Sequence, residues 1–211
     1  MIKVRQIVNS PIPSNCFVLY DKTVNDGCII VDPGSKSDEV LFDFFEMENL
    51  RPYYVILTHE HFDHCWGINE LVKRFQIPIV CSELCAEAIK YEKRNCSVFY
   101  DNKECFTINS ETISVESLGG ILHFSGVDIF FYSTPGHTEA SVCFEIGKFI
   151  FTGDTLIKDM RTVTKLMTGS KVGLQKSLDF IKNRQGKQLM VCPGHGEMFE
   201  LDRYDLRKAI L

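Results

Sequence analysis

The stretch "LTHEHFDHCWG", residues 57–67, places three of the chain's six histidines and one aspartate within six positions: His59, His61, Asp63 and His64. Imidazole nitrogens and carboxylate oxygens are ligands for Zn²⁺, and equally for iron or manganese. The segment leaves an apolar run, "YYVIL", that reads as a strand buried on both faces. Side chains alternate along a strand but can converge in the turn that follows it. His59 and His61 can therefore face one metal while Asp63 and His64 face another. A polar surface loop gives no reason to concentrate these residue types behind so apolar a strand.

Two full sites need more ligands, and the same device recurs. His137 sits in "STPGHTEAS" after the run "VDIFFYS". Asp154 sits in "FTGDT" after "KFIF", and His195 in "CPGHGE" after "QLMVC". Each is flanked by a glycine (Gly136, Gly153, Gly194), which permits close backbone approach. Asp32 in "VDPG" also ends a strand. It reads either as an acceptor that orients a ligand histidine or as a plain turn aspartate. His123, in "ILHFSG", lacks this setting and reads as a partly buried or surface residue.

These side chains need a scaffold, and hydrophobic periodicity supplies one. Strands are predicted at "KVRQIV", "CFVLY" and "CIIV", the last two separated by an Asp26-Gly27 turn. A helix follows "DPGS", with Val40, Leu41, Phe44 and Phe45 as its apolar stripe. Another begins near Trp66 and carries Ile68, Leu71, Val72 and Phe75. "IPIVC" is a strand, and Ser82 caps a helix bearing Cys85, Ala88 and Ile89. Residues 94–120 are the least regular, with "VFY" and "TISVES" as strand candidates. "VDIFFYS", "ASVCFEI" and "KFIFTG" are three strands in succession. Leu174, Leu178 and Ile181 mark a helix, "QLMVC" a final strand, and residues 203–210 a terminal helix. Two strand sets, each with helices, imply two packed sheets with helices outside.

Composition narrows the function classes. The chain has 211 residues, 45% hydrophobic and 24% charged, with net charge −5. That suits one domain over residues 1–211. No dense Lys/Arg cluster is present, which disfavours nucleic acid as partner. No stretch is long and apolar enough for a signal peptide or membrane span, so no membrane partner is expected. The nine scattered cysteines do not form a disulfide framework and point to a reducing, cytoplasmic location. Cys81 and Cys85 in "CSELC" lack the second pair a zinc site would need.

The order of "NCFVLYD…GCIIVDPG", "THEHFDH", "TPGHTEAS", "FTGDTL" and "PGHGE" resembles the metallo-β-lactamase superfamily, most closely its glyoxalase II-like hydrolases. The resemblance implies an α/β fold, the four-layer αββα sandwich. It also implies a dinuclear centre: His59, His61 and His137 on one metal, Asp63, His64 and His195 on the other, and Asp154 bridging. The cations would be two Zn²⁺, with iron or manganese as alternatives. Cys65-Trp66 replaces the usual Gly-Gly, and Ala140 stands where glycine is frequent. Glyoxalase II carries a C-terminal helical domain that helps bind glutathione. With 57 residues after Asp154, no such domain is expected here.

The expected activity is hydrolysis of a small thioester or ester. Two cations ~3.5–4 Å apart would share a water and lower its pKa to give hydroxide, with Asp63 and Asp154 as the catalytic carboxylates. A thiolate leaving group, with a pKa of ~8.5, needs little acid help. Alternatives on the same site are a phosphodiesterase or nuclease and a persulfide dioxygenase-like oxidoreductase. A purely structural zinc site would be a closed, cysteine-rich set. Lys158, Arg161 and Lys165 follow the bridging aspartate and either meet an acidic substrate or form solvated surface. Trp66 and Tyr100 are candidate apolar walls.

Overall fold

The computed structural model describes residues 1–100 and 103–209. Strands β1 (Lys3–Val8), β2 (Asn15–Tyr20) and β3 (Gly27–Val31) form an antiparallel meander. Helix α1 (Glu39–Glu48) then leads to β4 (Arg51–Ile56). The histidine-rich motif follows, with α2 (Phe62–Cys65) inside it and α3 (Ile68–Phe75) after it. Next come β5 (Ile79–Cys81), α4 (Glu83–Ala88), α5 (Ser97–Tyr100) and β6 (Thr112–Ser114). Strands β3 to β6 pair in parallel, so the first sheet runs β1-β2-β3-β4-β5-β6.

The second sheet holds β7 (Ile121–Phe124), β8 (Val127–Ser133), β9 (Val142–Ile146) and β10 (Phe149–Gly153), all antiparallel. Helix α6 (Lys171–Lys182) crosses over to β11 (Met190–Pro193), which pairs with β10 in parallel. A short β12 (Phe199–Glu200) closes the edge.

Side-chain alternation sorts the core into three layers. In β2, Cys16, Val18 and Tyr20 pack with Leu41, Phe45 and Leu71 of the helices outside the first sheet. Phe17 and Leu19, on the opposite face, pack with Ile129, Phe144 and Phe151 of the second sheet. Phe17 meets Phe151 edge-on at 5.3 Å, and Phe151 stacks on Phe144 at 4.5 Å. A third cluster joins Ile150 and Val191 to Leu174, Leu178 and Ile181 of α6. The result is the four-layer α/β/β/α sandwich. Strands β2 and β3 are buried on both faces, which explains their unbroken apolar sequences.

Local differences from the sequence reading have identifiable causes. "VFY" lies in the helical turn α5, and Phe99 is 71% exposed, so its aromatics do not mark a buried strand. Only Thr112–Ser114 of "TISVES" is extended. Val40 points to solvent and Phe42 takes its place in the buried stripe of α1. The terminal helix is two 3₁₀ turns, Leu201–Arg203 and Leu206–Ala209, and residue 210 lies outside the described residues. Strand β7 was not foreseen; it carries the exposed His123, paired with Asp128 at 2.6 Å. The cap by Ser82 is present, its hydroxyl accepting from the Cys85 amide. Among the described residues no helix is long and apolar enough to cross a membrane.

Candidate metal centre

All seven sequence-nominated residues meet at one end of the sandwich, between the sheets. The turn after β4 contributes His59, His61, Asp63 and His64. The loops after β8, β10 and β11 contribute His137, Asp154 and His195. Three groupings bring their ligand atoms within 4.8 Å of one another: His59, His61, His137; His59, His64, Asp154; and Asp63, His64, His195.

Asp154 joins the groupings. Its Oδ1 lies 3.5 Å from His64 Nε2, and its Oδ2 lies 3.5 Å from His137 Nε2 and 3.6 Å from His195 Nε2. Asp63 Oδ2 is 3.3 Å from His195 Nε2 and 3.7 Å from His64 Nε2. His61 Nδ1 and His137 Nε2 are 2.9 Å apart.

The outward ring nitrogens are tied to protein acceptors, which fixes the tautomers. His137 Nδ1 reaches the Val163 carbonyl at 2.8 Å, and His195 Nδ1 the Pro13 carbonyl at 3.2 Å. His64 Nδ1 lies 3.1 Å from Asp32 Oδ2. The Thr58 hydroxyl donates to Asp32 Oδ2 at 2.6 Å, so it can accept from His59 Nδ1 at 3.1 Å. A proton on each outward Nδ1 leaves Nε2 of His59, His64, His137 and His195 as a lone pair aimed inward. Of the four buried side-chain atoms without a hydrogen-bond partner among the described residues, three lie here: His59 Nε2, His64 Nε2 and Asp154 Oδ1. Buried polar atoms without partners are costly. Orphaned donors-to-a-cation, all nitrogen or carboxylate oxygen and converging on one space, fit divalent metal ions.

The electrostatics suit that occupant. Burial, reinforced by the neighbouring imidazoles, lowers the His59 pKa, and burial with His137 lowers that of His61 to about 3, so both are neutral. Burial opposes charge on His64 as well, but Asp63, Asp154 and Asp32 outweigh it and raise its pKa to about 10. Burial is likewise overcome at His195, where Asp63 and Asp154 raise the pKa. Burial pushes Asp63 up, yet His64 and His195 hold its carboxyl well below the ordinary range. Without an ion, protons on imidazole balance the carboxylates; a cation would replace those protons.

Of the two readings the sequence left open for Asp32, the structure shows the orienting acceptor, whereas Ser14 and Glu60 escaped the sequence reading. Asp32, at φ 50°, accepts the Thr58 amide at 2.8 Å and so locks the start of the ligand turn. The Ser14 hydroxyl donates to the Asp63 carbonyl. Buried Glu60 accepts from Thr138 Oγ1 at 2.9 Å, tying the turn after β4 to the loop bearing His137. Gly194 lacks a side chain where a Cβ would crowd Asp154 Oδ1 and His64 Cε1. Glu60 could have been found by its place between His59 and His61; Ser14 carried no local signal. Of the three nominated cations, Lys158 pairs with Glu197, while Arg161 and Lys165 border a cleft that contains none of the seven residues. Trp66 and Tyr100 pack around Phe62, between the ligand positions 61 and 63, at 5.6 and 5.1 Å.

A sequence model of the metallo-beta-lactamase superfamily matches residues 9–195, and the chain belongs to that superfamily. It is 27% identical over 176 residues to a hydroxyacylglutathione hydrolase of Buchnera aphidicola subsp. Schizaphis graminum. That match covers 83% of this chain and 60% of the hydrolase, so this chain spans well under two thirds of that relative. Among solved structures, the BLEG-1 B3 metallo-beta-lactamase superposes with TM-score 0.84 at 25% identity, covering 94% of both chains. TTHA1623, solved in a di-iron-bound form, gives TM-score 0.75 at 24% identity over 93% of this chain and 94% of that one, and shows the same fold.

Proposed function

We propose that this protein is a dinuclear metal-dependent hydrolase of small thioesters or esters. The observation that carries the reading is the placement of Asp154, one oxygen toward His64 and the other toward His137 and His195. In this reading His59, His61 and His137 hold one cation, and Asp63, His64 and His195 hold the other. Asp154 contributes to both. The nitrogen and oxygen donor set suits Zn²⁺ first, and iron or manganese as well.

Bound divalent cations supply Lewis acidity toward a carbonyl oxygen and lower the pKa of water. The chain's own residues supply the rest. Asp63 keeps its charge and presents Oδ2 at the mouth of the second grouping, where it can accept a proton from an attacking water. The Ser14 contact to its carbonyl and its own ion pairs fix that oxygen in place. Asp32, Thr58 and the Val163 and Pro13 carbonyls hold four imidazoles in the tautomer that points Nε2 inward. No side chain stands out as an acid for the leaving group, which favours leaving groups that depart as thiolates.

The likeness to a hydroxyacylglutathione hydrolase over 83% of the chain supports the same chemistry. The presence of His64 and His195 beside Asp63 weighs against a single-iron oxygenase, which would leave them unused. The cysteines form no disulfide among the described residues, in keeping with the cytoplasmic location of this reading, whose substrate is a small molecule. The test is metal analysis of Asp154→Ala beside the parent, with thioester, phosphodiester and β-lactam panels. The parent is expected to hold about two metals per chain and to cleave thioesters. The variant is expected to lose metal and turnover together. Full activity in the variant, or cleavage of bis(p-nitrophenyl) phosphate alone, refutes the reading.

A further inference from the structure

A cleft of about 630 Å³ opens directly beside His195. Val8 at the end of β1, Pro13 in the β1–β2 connection and Met160 in the loop after β10 line it together with that histidine. Val8 is 61% exposed and Met160 51% exposed. Several polar groups on the same walls already have protein partners. Gln6 Nε2 donates to Asn15 Oδ1 and to the Gly196 carbonyl, both at 2.8 Å. Asn15 Nδ2 donates to the Pro193 and Gly196 carbonyls at 2.9 and 2.8 Å. Glu197 is paired with Lys158. What the cleft chiefly offers a ligand is therefore aliphatic and thioether surface, with His195 of the candidate centre on its wall.

A smaller cavity of about 170 Å³ borders His61, with Arg94 and Glu139 beside Cys96 and Met167 on its walls. A concave surface with apolar walls and a candidate centre at its edge is the usual setting of a small-molecule site. We infer that the Val8–Pro13–Met160 cleft seats the apolar chain of the substrate, so that the preferred thioester carries a hydrocarbon group of several carbons. The inference rests on the hydrolase reading above and names its substrate class.

Transfer of a methylene from water to an apolar surface is worth ~0.8 kcal/mol, about four-fold in affinity when fully buried. A half-open cleft gives about two- to three-fold per carbon.

The test uses metal-loaded protein and two probe series. S-alkyl thioethers of N-acetylcysteamine, methyl to octyl, have no carbonyl to cleave; their binding is read by calorimetry. The matching S-acyl thioesters are read by kcat/KM. Affinity for the thioethers is expected to climb with each carbon, and the double variant Val8→Ser, Met160→Gln to flatten that climb at least ten-fold between methyl and octyl. Val172→Ser, at a 70% exposed apolar site on α6, is expected to leave the slope intact. A flat parent series overturns the cleft, and so does a slope that persists in the double variant. A rising thioether series with no thioester cleaved leaves the cleft standing and overturns the hydrolase reading instead.

Discussion

Replacing Asp32 with Asn tests whether the carboxylate sets the tautomer of His64. Asp32 Oδ1 accepts the Thr58 amide at 2.8 Å, and Oδ2 serves the Thr58 hydroxyl at 2.6 Å and His64 Nδ1 at 3.1 Å. Asparagine keeps the size and tolerates the φ of 50° that Asp32 adopts. Its oxygen can retain the amide bond, so the backbone stays. Its NH₂ group then faces the Thr58 hydroxyl and His64 Nδ1. To accept from it, His64 must carry its proton on Nε2, the atom now aimed between Asp63 and Asp154. That nitrogen is no longer a lone-pair donor. Substitutions of this kind typically lower metal affinity 10- to 100-fold, which corresponds to about 1.4–2.7 kcal/mol. A chelator competition titration reads the affinity, and circular dichroism checks that the fold persists. A variant that binds its second metal within two-fold of the parent refutes the tautomer argument.

Two further substitutions separate steric from electrostatic support. In Gly194→Ala the new Cβ would sit 2.8 Å from His64 Cε1 and nearer still to Asp154 Oδ1, where ordinary contact begins at 3.4 Å. The carboxylate must retreat by roughly an ångström, and misplacement on that scale costs on the order of 100-fold in turnover; metal content and kcat measured on a folded variant decide it, and unchanged turnover counts against the bridging role. Asp38, 3% exposed with Oδ2 unpartnered, has its pKa raised to about 8 by burial and by Glu70. The folded state thus keeps a proton that the unfolded chain, with a pKa of ~3.9, releases. Stability is fully present below pH ~4 and declines as pH rises toward 8. Asp38→Asn removes that slope, so urea unfolding is expected to show the variant more stable at pH 9 by about 2–5 kcal/mol and close to the parent at pH 4; parallel pH profiles would contradict the buried-acid account.

The candidate centre was legible in the sequence because each candidate ligand lies in a segment that follows an apolar strand, and His137, Asp154 and His195 each sit beside a glycine. That pattern is local, so one pass along the chain finds it. The two-sided burial of β2 and β3 was legible for the same reason, as runs without polar interruption. What the sequence hid is held by distant contacts. Ser14 supports the turn at Asp63 from 49 residues away, and the particular histidine that Asp32 orients, His64, lies 32 residues on. The Val8–Met160 cleft forms only because β1 and the loop after β10 end on the same rim. Local propensity also misled where tertiary context decides. "VFY" has strand-forming residues, but its turn is closed by Ser97 and Asn95 contacts to Phe106. "ILHF" carries a histidine at an exposed position, yet Leu122 and Phe124 face the inter-sheet core and make it a strand.

Every ligand grouping draws on both sheets. His59 and His61 from the first meet His137 from the second; His59 and His64 meet Asp154; Asp63 and His64 meet His195. Neither half can complete a coordination set by itself. An ion seated there acts as a rivet through the seam, and its affinity adds to the force that presses the halves face to face. Loading thereby becomes a checkpoint on assembly, since a chain whose halves have not docked has nowhere to keep its metal.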